Sequence, residues 1–190
     1  MVALFVLITA GLSLGACDRP THTAIGHSYT LRTAGQYYPR DDDGDPSEVK
    51  VDVIASLKDN GKHTLRIAHT IHEAGLSVYY RAAQREDEQI AQIYNALKSY
   101  TRVIVIPQDA LSNSRDWDKA LYTAREKAIP VIIAATRGSD ISDIPVSSLY
   151  YAAYWNINER ASKDSHSAYD VIMTVVEDRP HDTVMHTELL

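Results

Sequence analysis

The stretch that decides the fold is Val103-Ile-Val-Ile-Pro-Gln-Asp109, together with a second apolar run, Ile129-Pro-Val-Ile-Ile133. Continuous runs of β-branched residues are typical of strands buried on both faces, which implies a parallel sheet covered by helices. The segment between the runs, Asp116–Ala128, has a helical composition and is long enough for a crossover helix. The sequence therefore predicts a β-α-β unit, and the loop that begins at Gln108 lies where such sheets bind ligands.

Alternating strands and helices are predicted on both sides of this unit. Each strand is a short apolar or alternating run, and each helix carries apolar residues at helical spacing. The predicted strands are Val49–Ala55, Leu76–Tyr80, the run from Val103, Val131–Ala135 and Leu149–Tyr154, with a last strand expected within Thr174–Leu190; the predicted helices are Thr64–Ala74, Glu86–Leu97, Asp116–Ala128 and Asn158–Met173. This order predicts an α/β fold with three α/β/α layers around a Rossmann-like parallel sheet.

Composition limits the classes of partner. The chain has 190 residues, of which 45% are hydrophobic and 23% are charged, as in a soluble globular protein with a core of its own. Its formal net charge is −6. Because a protein that binds nucleic acid needs a basic surface against the phosphates, we expect no nucleic-acid partner.

The amino terminus has the features of an export signal. Val2–Ala16 is almost wholly apolar or small and is too short to span a membrane, which is typical of a secretory signal peptide. The string Leu14-Gly-Ala-Cys17 at its end resembles the lipobox of bacterial lipoproteins, although no Lys or Arg precedes the apolar run. This resemblance implies cleavage before Cys17, lipidation of Cys17, and a location in the cell envelope, anchored to a membrane by lipid and facing the periplasm or the exterior. The alternative is a free, buried Cys17 in a cytosolic strand.

On this interpretation the chain divides into three parts. Residues 1–16 form the signal peptide, residues 17–48 form a polar tether, and residues 49–190 form the folded domain. The tether assignment rests on a composition of Gly, Pro, Thr and Asp with little hydrophobic periodicity. Its most loop-like piece is the acidic run Arg40-Asp-Asp-Asp-Gly-Asp-Pro46.

Several short strings between about residues 50 and 173 form a recognisable series. They are Val51-Asp-Val-Ile-Ala-Ser-Leu-Lys-Asp-Asn60, Glu73-Ala-Gly-Leu-Ser-Val-Tyr79, Gln89-Ile-Ala-Gln-Ile-Tyr-Asn-Ala-Leu97, Val103-Ile-Val-Ile-Pro-Gln-Asp-Ala110, Ala124-Arg-Glu-Lys-Ala-Ile-Pro-Val-Ile132 and Ile157-Asn-Glu159. In this order and spacing they resemble the first lobe of type I periplasmic sugar-binding proteins, the xylose- and ribose-binding kind. The resemblance implies a receptor that binds a pentose or hexose for the permease of an ABC import system, with no catalysis of its own and no cofactor.

The resemblance also implies where the sugar binds. The family's ligand loops follow strands one, three, four and five, at the carboxyl edge where open parallel sheets bind ligands on physical grounds as well. Carried over to this sequence, the implied ligand residues are Asp59, Asn60, Gln108, Asp109, Arg137 and Asn158. Amide, carboxylate and guanidinium groups suit a sugar because they form paired hydrogen bonds with its hydroxyls. Arg137 is the best single candidate, since its planar fork can bind two adjacent hydroxyls.

The sequence departs from the family's pattern within this site. Thr136 and Ile157 stand where an Asp is expected, and Lys62-His63 stands where many relatives stack an aromatic ring on the sugar. Only about one lobe's length follows the tether, so we expect a single lobe of a receptor whose relatives close two lobes on the ligand. One lobe buries less of the ligand and should bind it more weakly.

Motifs for catalysis and nucleotide binding are absent from the sequence. It contains no His-Glu-x-x-His, Gly-x-Gly-x-x-Gly, P-loop or Gly-x-Ser-x-Gly string, so we expect no enzyme activity, cofactor or metal site. His69 and His72 lie three residues apart on a predicted helix without an evident third metal ligand. The alternative function is a non-catalytic envelope lipoprotein module that kept the lobe but lost ligand binding. A transcriptional regulator would need a helix-turn-helix where Val2–Ala16 stands.

Overall fold

The computed structural model describes residues 45–56, 58–136, 139–158 and 165–188, and of residues 46, 58, 59, 136, 158 and 188 the backbone alone. The predicted signal peptide, Cys17, most of the predicted tether and Arg137 lie outside the described residues. Within them, no helix is long and apolar enough to cross a bilayer.

Six strands form one sheet in the described part of the chain, and every neighbouring pair is parallel. The order across the sheet is β2-β1-β3-β4-β5-β6. The strands are β1 Lys50–Ile54, β2 Ser77–Arg81, β3 Val103–Pro107, β4 Val131–Thr136, β5 Ala153–Asn158 and β6 Val184–Glu188, and the helices are α1 Lys62–Glu73, α2 Glu86–Ala96, α3 Arg115–Glu126 and α4 Ala168–Val176.

Helices cover both faces of the sheet because the central strands are apolar on both sides. Val103 and Val105 of β3 pack in one cluster with residues of α1 and α4. Ile104 and Ile106 point the other way and pack in a second cluster with residues of α2 and α3, including the fully buried Trp117. All four strand residues are fully buried. The predicted three-layer α/β/α fold with a parallel sheet is therefore confirmed.

Two predicted elements have the wrong bounds. The predicted strand Leu149–Tyr154 is instead a 3₁₀ turn, Ser148–Tyr150, followed by β5 from Ala153. Leu149 is 40% exposed, whereas Trp155 inside β5 is fully buried. The buried strand therefore begins later in the sequence than its aromatic residues predicted. The predicted helix Asn158–Met173 begins ten residues later, because Ser167 caps α4 by accepting a hydrogen bond from the Asp170 N–H.

The carboxyl-terminal segment contributes the last strand, as predicted. β6 pairs with β5 over five residues, from Tyr154 opposite Val184 to Asn158 opposite Glu188. Ser165 forms an isolated parallel bridge with His186. Because β5 occupies one side of His186, the bridge lies on the other side, where it covers part of the outer edge of β6.

Candidate functional site

The strand order reverses between β1 and β3. From β1 the chain passes through α1 to β2 on one side, and from β3 it passes through α3 to β4 on the other side. In open α/β sheets a crevice forms at such a point, outside the carboxyl ends of the two strands. The four strands that the sequence assigned to ligand loops, β1, β3, β4 and β5, are consecutive in the sheet. Their carboxyl ends therefore lie side by side over about 14 Å.

The segment after β1 turns sharply into α1. It forms a 3₁₀ turn, Lys58–Gly61, in which Asn60 has φ 55° and Gly61 has φ 71°. These left-handed conformations suit Asn and Gly, and they end the strand and place the first turn of α1 at the crevice. Asn60 is exposed there. His63 lies in that first turn, one residue after Lys62.

The segment after β3 supplies the opposite wall. Pro107 ends the strand, and a 3₁₀ turn, Gln108–Ala110, follows at once. The carboxylate Oδ2 of Asp109 lies 3.9 Å from Nδ1 of His63, with both side chains partly exposed. The imidazole and the carboxylate thus face each other across the crevice, where each can bind a hydroxyl group.

A small cavity opens between these walls. Its volume is about 20 Å³, enough for about one water molecule. It is lined by His63, Ile67, Pro107, Gln108, Asp109, Ala134 and Ser139. Pockets that enclose a small organic ligand are typically about 300–1,000 Å³. The described residues therefore form a shallow site that could contact one side of a ligand, and they do not enclose one.

Gln108 uses both ends of its amide to hold the neighbouring structure together. Its Oε1 accepts a hydrogen bond of 2.8 Å from the hydroxyl of Tyr154, and its Nε2 donates one of 2.9 Å to the carbonyl of Asp140. These bonds join the end of β3 to β5 and to the loop after β4. Gln108 thereby fixes the loop that contains Ser139 at the rim of the cavity.

Electrostatics keeps this bridge intact at neutral pH. Burial, reinforced by the negative charges of Asp140 and Asp143, raises the pKa of Tyr154 to about 12, so its phenol remains a hydrogen-bond donor. Hydrogen bonds from the backbone N–H and the hydroxyl of Ser142 lower the pKa of Asp140. Asp140 is therefore ionised, and it caps the short 3₁₀ turn Ile141–Asp143.

The structure brings some predicted ligand residues together and leaves others undescribed. Asn60, Gln108 and Asp109 lie at the ends of the adjacent strands β1 and β3. Asp59 is in the same turn as Asn60, and Asn158 is the last residue of β5, but their side chains are not described. Arg137 follows β4 outside the described residues. A ligand-binding role for these six residues remains a prediction.

Two site residues were not among the predicted ligands. In the sequence, His63 was noted only as part of Lys62-His63, a departure from the family's pattern at the position of the expected aromatic residue. Ser139 carried no signal, because its place at the cavity depends on the path of the loop after β4. No group of three or more His, Cys, Asp or Glu side chains in the described ranges could hold a metal ion.

Comparison with known proteins gives a weak structural likeness. No protein-family model matches the chain, and no curated protein matches it. Among solved structures, it is similar to the crystal structure of an ABC sugar transporter (periplasmic sugar-binding protein) from Legionella pneumophila, with 19% identity and a TM-score of 0.38. The match covers 56% of this chain and 38% of that one. At this identity and TM-score, the likeness assigns neither a family nor a function to the chain.

Proposed function

We propose that this protein is the sugar-binding component of an ABC import system and that the described domain is one lobe of a periplasmic-binding-protein-like receptor. The observation that carries the proposal is the position of the four predicted ligand loops. They follow four consecutive strands at one edge of the sheet, and that edge includes the point where the strand order reverses. Asn60, Gln108 and Asp109, the members of this set whose side chains are described, follow the adjacent strands β1 and β3, which supports the proposal.

The chemistry of the site suits hydroxyl recognition without catalysis. The Asp109 carboxylate accepts hydrogen bonds from hydroxyls, and the Asn60 amide both donates and accepts them. Arg137, on the loop after β4, would bind two adjacent hydroxyls through its guanidinium fork. His63 adds a planar ring that can lie against a C–H face of the sugar. No bond is made or broken in this mechanism, and the receptor would pass the sugar to a permease.

Affinity for a single shallow lobe should be low. Most of a ligand's surface is normally buried in a pocket, and the cavity here has room for about one water molecule. We expect a pentose or hexose to bind with a Kd near 1 mM, which corresponds to about −4 kcal/mol.

Enantiomeric sugars provide a direct test of this function. Sugars stabilise proteins non-specifically as co-solvents, but a D-sugar and its L-enantiomer do so equally. Specific binding at ten times the Kd adds about 1.4 kcal/mol to the free energy of unfolding. The proposal predicts that one enantiomer of xylose, ribose, arabinose, glucose or galactose raises the melting temperature more than its mirror image. The highest sugar concentration is 100 mM, about 100 times the expected Kd. Equal melting temperatures with the two enantiomers of every sugar at that concentration would exclude sugar binding.

The proposed location depends on Cys17. Lipid on this residue would anchor the receptor to a membrane of the cell envelope, with the sugar site facing the periplasm or the exterior. Replacing Cys17 with Ser should move the protein from the membrane fraction to the soluble fraction. A replacement of Ser13, within the apolar run, with Ala is the matched control and should leave the protein at the membrane. If wild type and Cys17→Ser partition alike, the lipid anchor is wrong.

A second candidate function is a non-catalytic envelope module that has lost ligand binding. The small cavity and the structural use of Gln108 favour it, because both reduce what the edge can offer a sugar. This module would be membrane-anchored like the receptor, and it would not distinguish D-sugars from L-sugars.

A further inference from the structure

A hydrogen bond connects the interior of the sheet to the crevice. Tyr154 of β5 is buried, and its ring packs in the apolar cluster that the sheet forms with α2 and α3. The cavity in the crevice contains Ile67 and Ala134, which belong to the apolar cluster on the opposite face of the sheet. Tyr154 lies outside the described lining of this cavity. Its hydroxyl nevertheless donates a hydrogen bond to Oε1 of Gln108, which does line the cavity.

Gln108 extends this connection to the rim of the cavity. Its Nε2 donates a hydrogen bond to the carbonyl of Asp140, and Ser139, the preceding residue, lines the cavity. We propose that Tyr154 is a positioning residue for ligand binding, which acts through Gln108 to hold Ser139 and Asp140 at the rim of the crevice. The effect on a ligand rests on the proposed function, whereas the effect on the rim rests on these hydrogen bonds alone.

The two partners fix the orientation of the Gln108 amide. A backbone carbonyl can only accept a hydrogen bond, so the carbonyl of Asp140 requires the N–H end of the amide, and the oxygen end accepts from Tyr154. Burial, reinforced by the charges of Asp140 and Asp143, raises the pKa of Tyr154 to about 12, so its hydroxyl keeps its proton at neutral pH. Each end of the amide has a second hydrogen-bonding position, so Gln108 can hold the rim and still bind a hydroxyl in the cavity.

The turn that begins at Asp140 is also held by contacts of its own. The carbonyl of Asp140 accepts a second hydrogen bond from the N–H of Asp143, and its Oδ1 accepts from the N–H and the hydroxyl of Ser142. Ile141 and Ile144 pack against the apolar cluster under α2 and α3. The turn should therefore remain folded when the bridge through the amide is lost.

The bridge instead sets where this turn stands relative to the end of β3. Asp109 follows that strand, and Ser139 approaches the same cavity from the loop after β4. A ligand that contacts both residues needs each of them within about 0.5 Å of its productive position. Loss of the Tyr154 hydroxyl should therefore weaken ligand binding while the fold persists.

Tyr154→Phe tests this inference, because it removes the hydroxyl and keeps the ring. Without any sugar, the NMR order parameters of the Ser139 and Asp140 amides should fall. With sugar, the Kd for the tightest-binding enantiomer of xylose, ribose, arabinose, glucose or galactose should rise at least about threefold, as expected for the loss of one hydrogen bond. The matched control is Ile104→Val, which removes one methyl group from the same apolar cluster and should change neither the order parameters nor the Kd.

A second background tests whether the effect passes through Gln108. Gln108→Met removes both hydrogen-bonding ends of the side chain and keeps its length, so it should weaken binding at least as much as Tyr154→Phe. When the two changes are combined, Tyr154→Phe should have no further effect on the Kd or on the order parameters.

Three outcomes would overturn the proposal. The first is a Tyr154→Phe variant whose Ser139 and Asp140 amides are as ordered as in the wild type. The second is an equal loss of order in Ile104→Val, which would indicate a general effect of stability. The third is an effect of Tyr154→Phe that is undiminished in the Gln108→Met background. If the wild type binds none of these sugars, the proposed function fails, while the order parameters still decide whether Tyr154 holds the rim.

Discussion

Nδ1 of His63 lies 3.9 Å from Oδ2 of Asp109, so the two side chains face each other where the strand order reverses. The His63 side chain is 48% exposed and that of Asp109 is 32% exposed. Even an ion pair between side chains this open to solvent contributes only about 0–1 kcal/mol to folding. Both side chains are accessible to a ligand that enters the crevice.

Asp109 should therefore matter for binding more than for stability. We expect Asp109→Ala to weaken sugar binding about tenfold or more, since a hydrogen bond to a charged group contributes about 1.5–3 kcal/mol. The free energy of unfolding should change by less than about 1 kcal/mol. Isothermal titration and urea unfolding measure the two effects. The control is Asp182→Ala. It removes an exposed carboxylate just before β6, at the amino-terminal end of that strand and so opposite the carboxyl ends that form the site. If both variants bind alike, Asp109 is not a ligand residue.

Gln108, unlike Asp109, should contribute measurably to the stability of the fold. Replacing it with Ala leaves the Tyr154 hydroxyl and the Asp140 carbonyl without the hydrogen bonds that Gln108 now makes. The cost should be about 1–3 kcal/mol of unfolding free energy, measured by urea denaturation. Gln84→Ala, at an exposed position before α2, is the control and should have little effect. Unchanged stability in Gln108→Ala would show that the bridge contributes nothing to the fold.

Tyr154 should make stability fall at alkaline pH. The pKa of its phenol is about 12 in the folded protein, against an ordinary value of 10.0, chiefly because burial disfavours the ionised form. Between these values the folded state holds a proton that the unfolded state has lost, so stability decreases as pH rises. The decrease due to Tyr154 should reach about 2–3 kcal/mol by pH 12.

The variant Tyr154→Phe isolates this effect. It should lower stability at neutral pH through the lost hydrogen bond, and its stability should then fall less steeply above pH 10 than that of the wild type. Tyr122→Phe, at an exposed position on α3, should keep the wild-type slope. Urea denaturation between pH 9 and pH 11.5 gives the slopes. Identical slopes for wild type and Tyr154→Phe would contradict the assigned pKa.

A buried ion pair joins β1 to β2. Asp52 is fully buried, and its Oδ1 accepts a hydrogen bond from Nε of Arg81. Nη2 of Arg81 also donates to the hydroxyl of Ser99 at 2.8 Å. Arg81→Met should cost about 3–5 kcal/mol, because it leaves an uncompensated buried carboxylate, whereas Asp52→Val combined with Arg81→Met should cost less than the single change.

A double-mutant cycle by urea denaturation measures this coupling. Arg85→Met is the control, since Arg85 pairs with Asp87 on the surface and its loss should change stability little. Additive effects of Asp52→Val and Arg81→Met would show that the two residues are not coupled.

The sequence predicted the sheet because its strands are continuous apolar runs. Val103–Pro107 and Val131–Ala135 are buried on both faces, which leaves few alternatives to a central parallel strand. The end of α1 was equally clear, since Gly75 adopts φ 82°, a conformation that a non-glycine residue rarely takes. β5 was misplaced because Tyr150, Tyr151, Tyr154 and Trp155 have similar strand propensity. Of these, Tyr154 and Trp155 pair with β4, and they are buried in clusters on opposite faces of the sheet.

The site was predictable only in its location. Strand ends in a parallel sheet meet at one edge whatever their separation in sequence, so Asn60 and Asp109 could be assigned to the same edge. The distance between His63 and Asp109 depends on how the turn Lys58–Gly61 enters α1, and no sequence pattern gives it. The structural role of Gln108 depends on Tyr154 and Asp140, which are distant in sequence and lie on other elements.

Chemical-shift mapping by NMR tests the central claim most directly. The ¹⁵N-labelled protein is titrated with both enantiomers of xylose, ribose, arabinose, glucose and galactose. Each sugar is added to about 30 mM, which is about 30 times the expected Kd of about 1 mM. A sugar-binding lobe predicts that one enantiomer shifts the amides of residues 59–63, 108–110 and 136–139 and those around Asn158, while the amides at the opposite edge stay unchanged. Equal, scattered shifts for both members of every pair, or no shifts at all, would contradict the account.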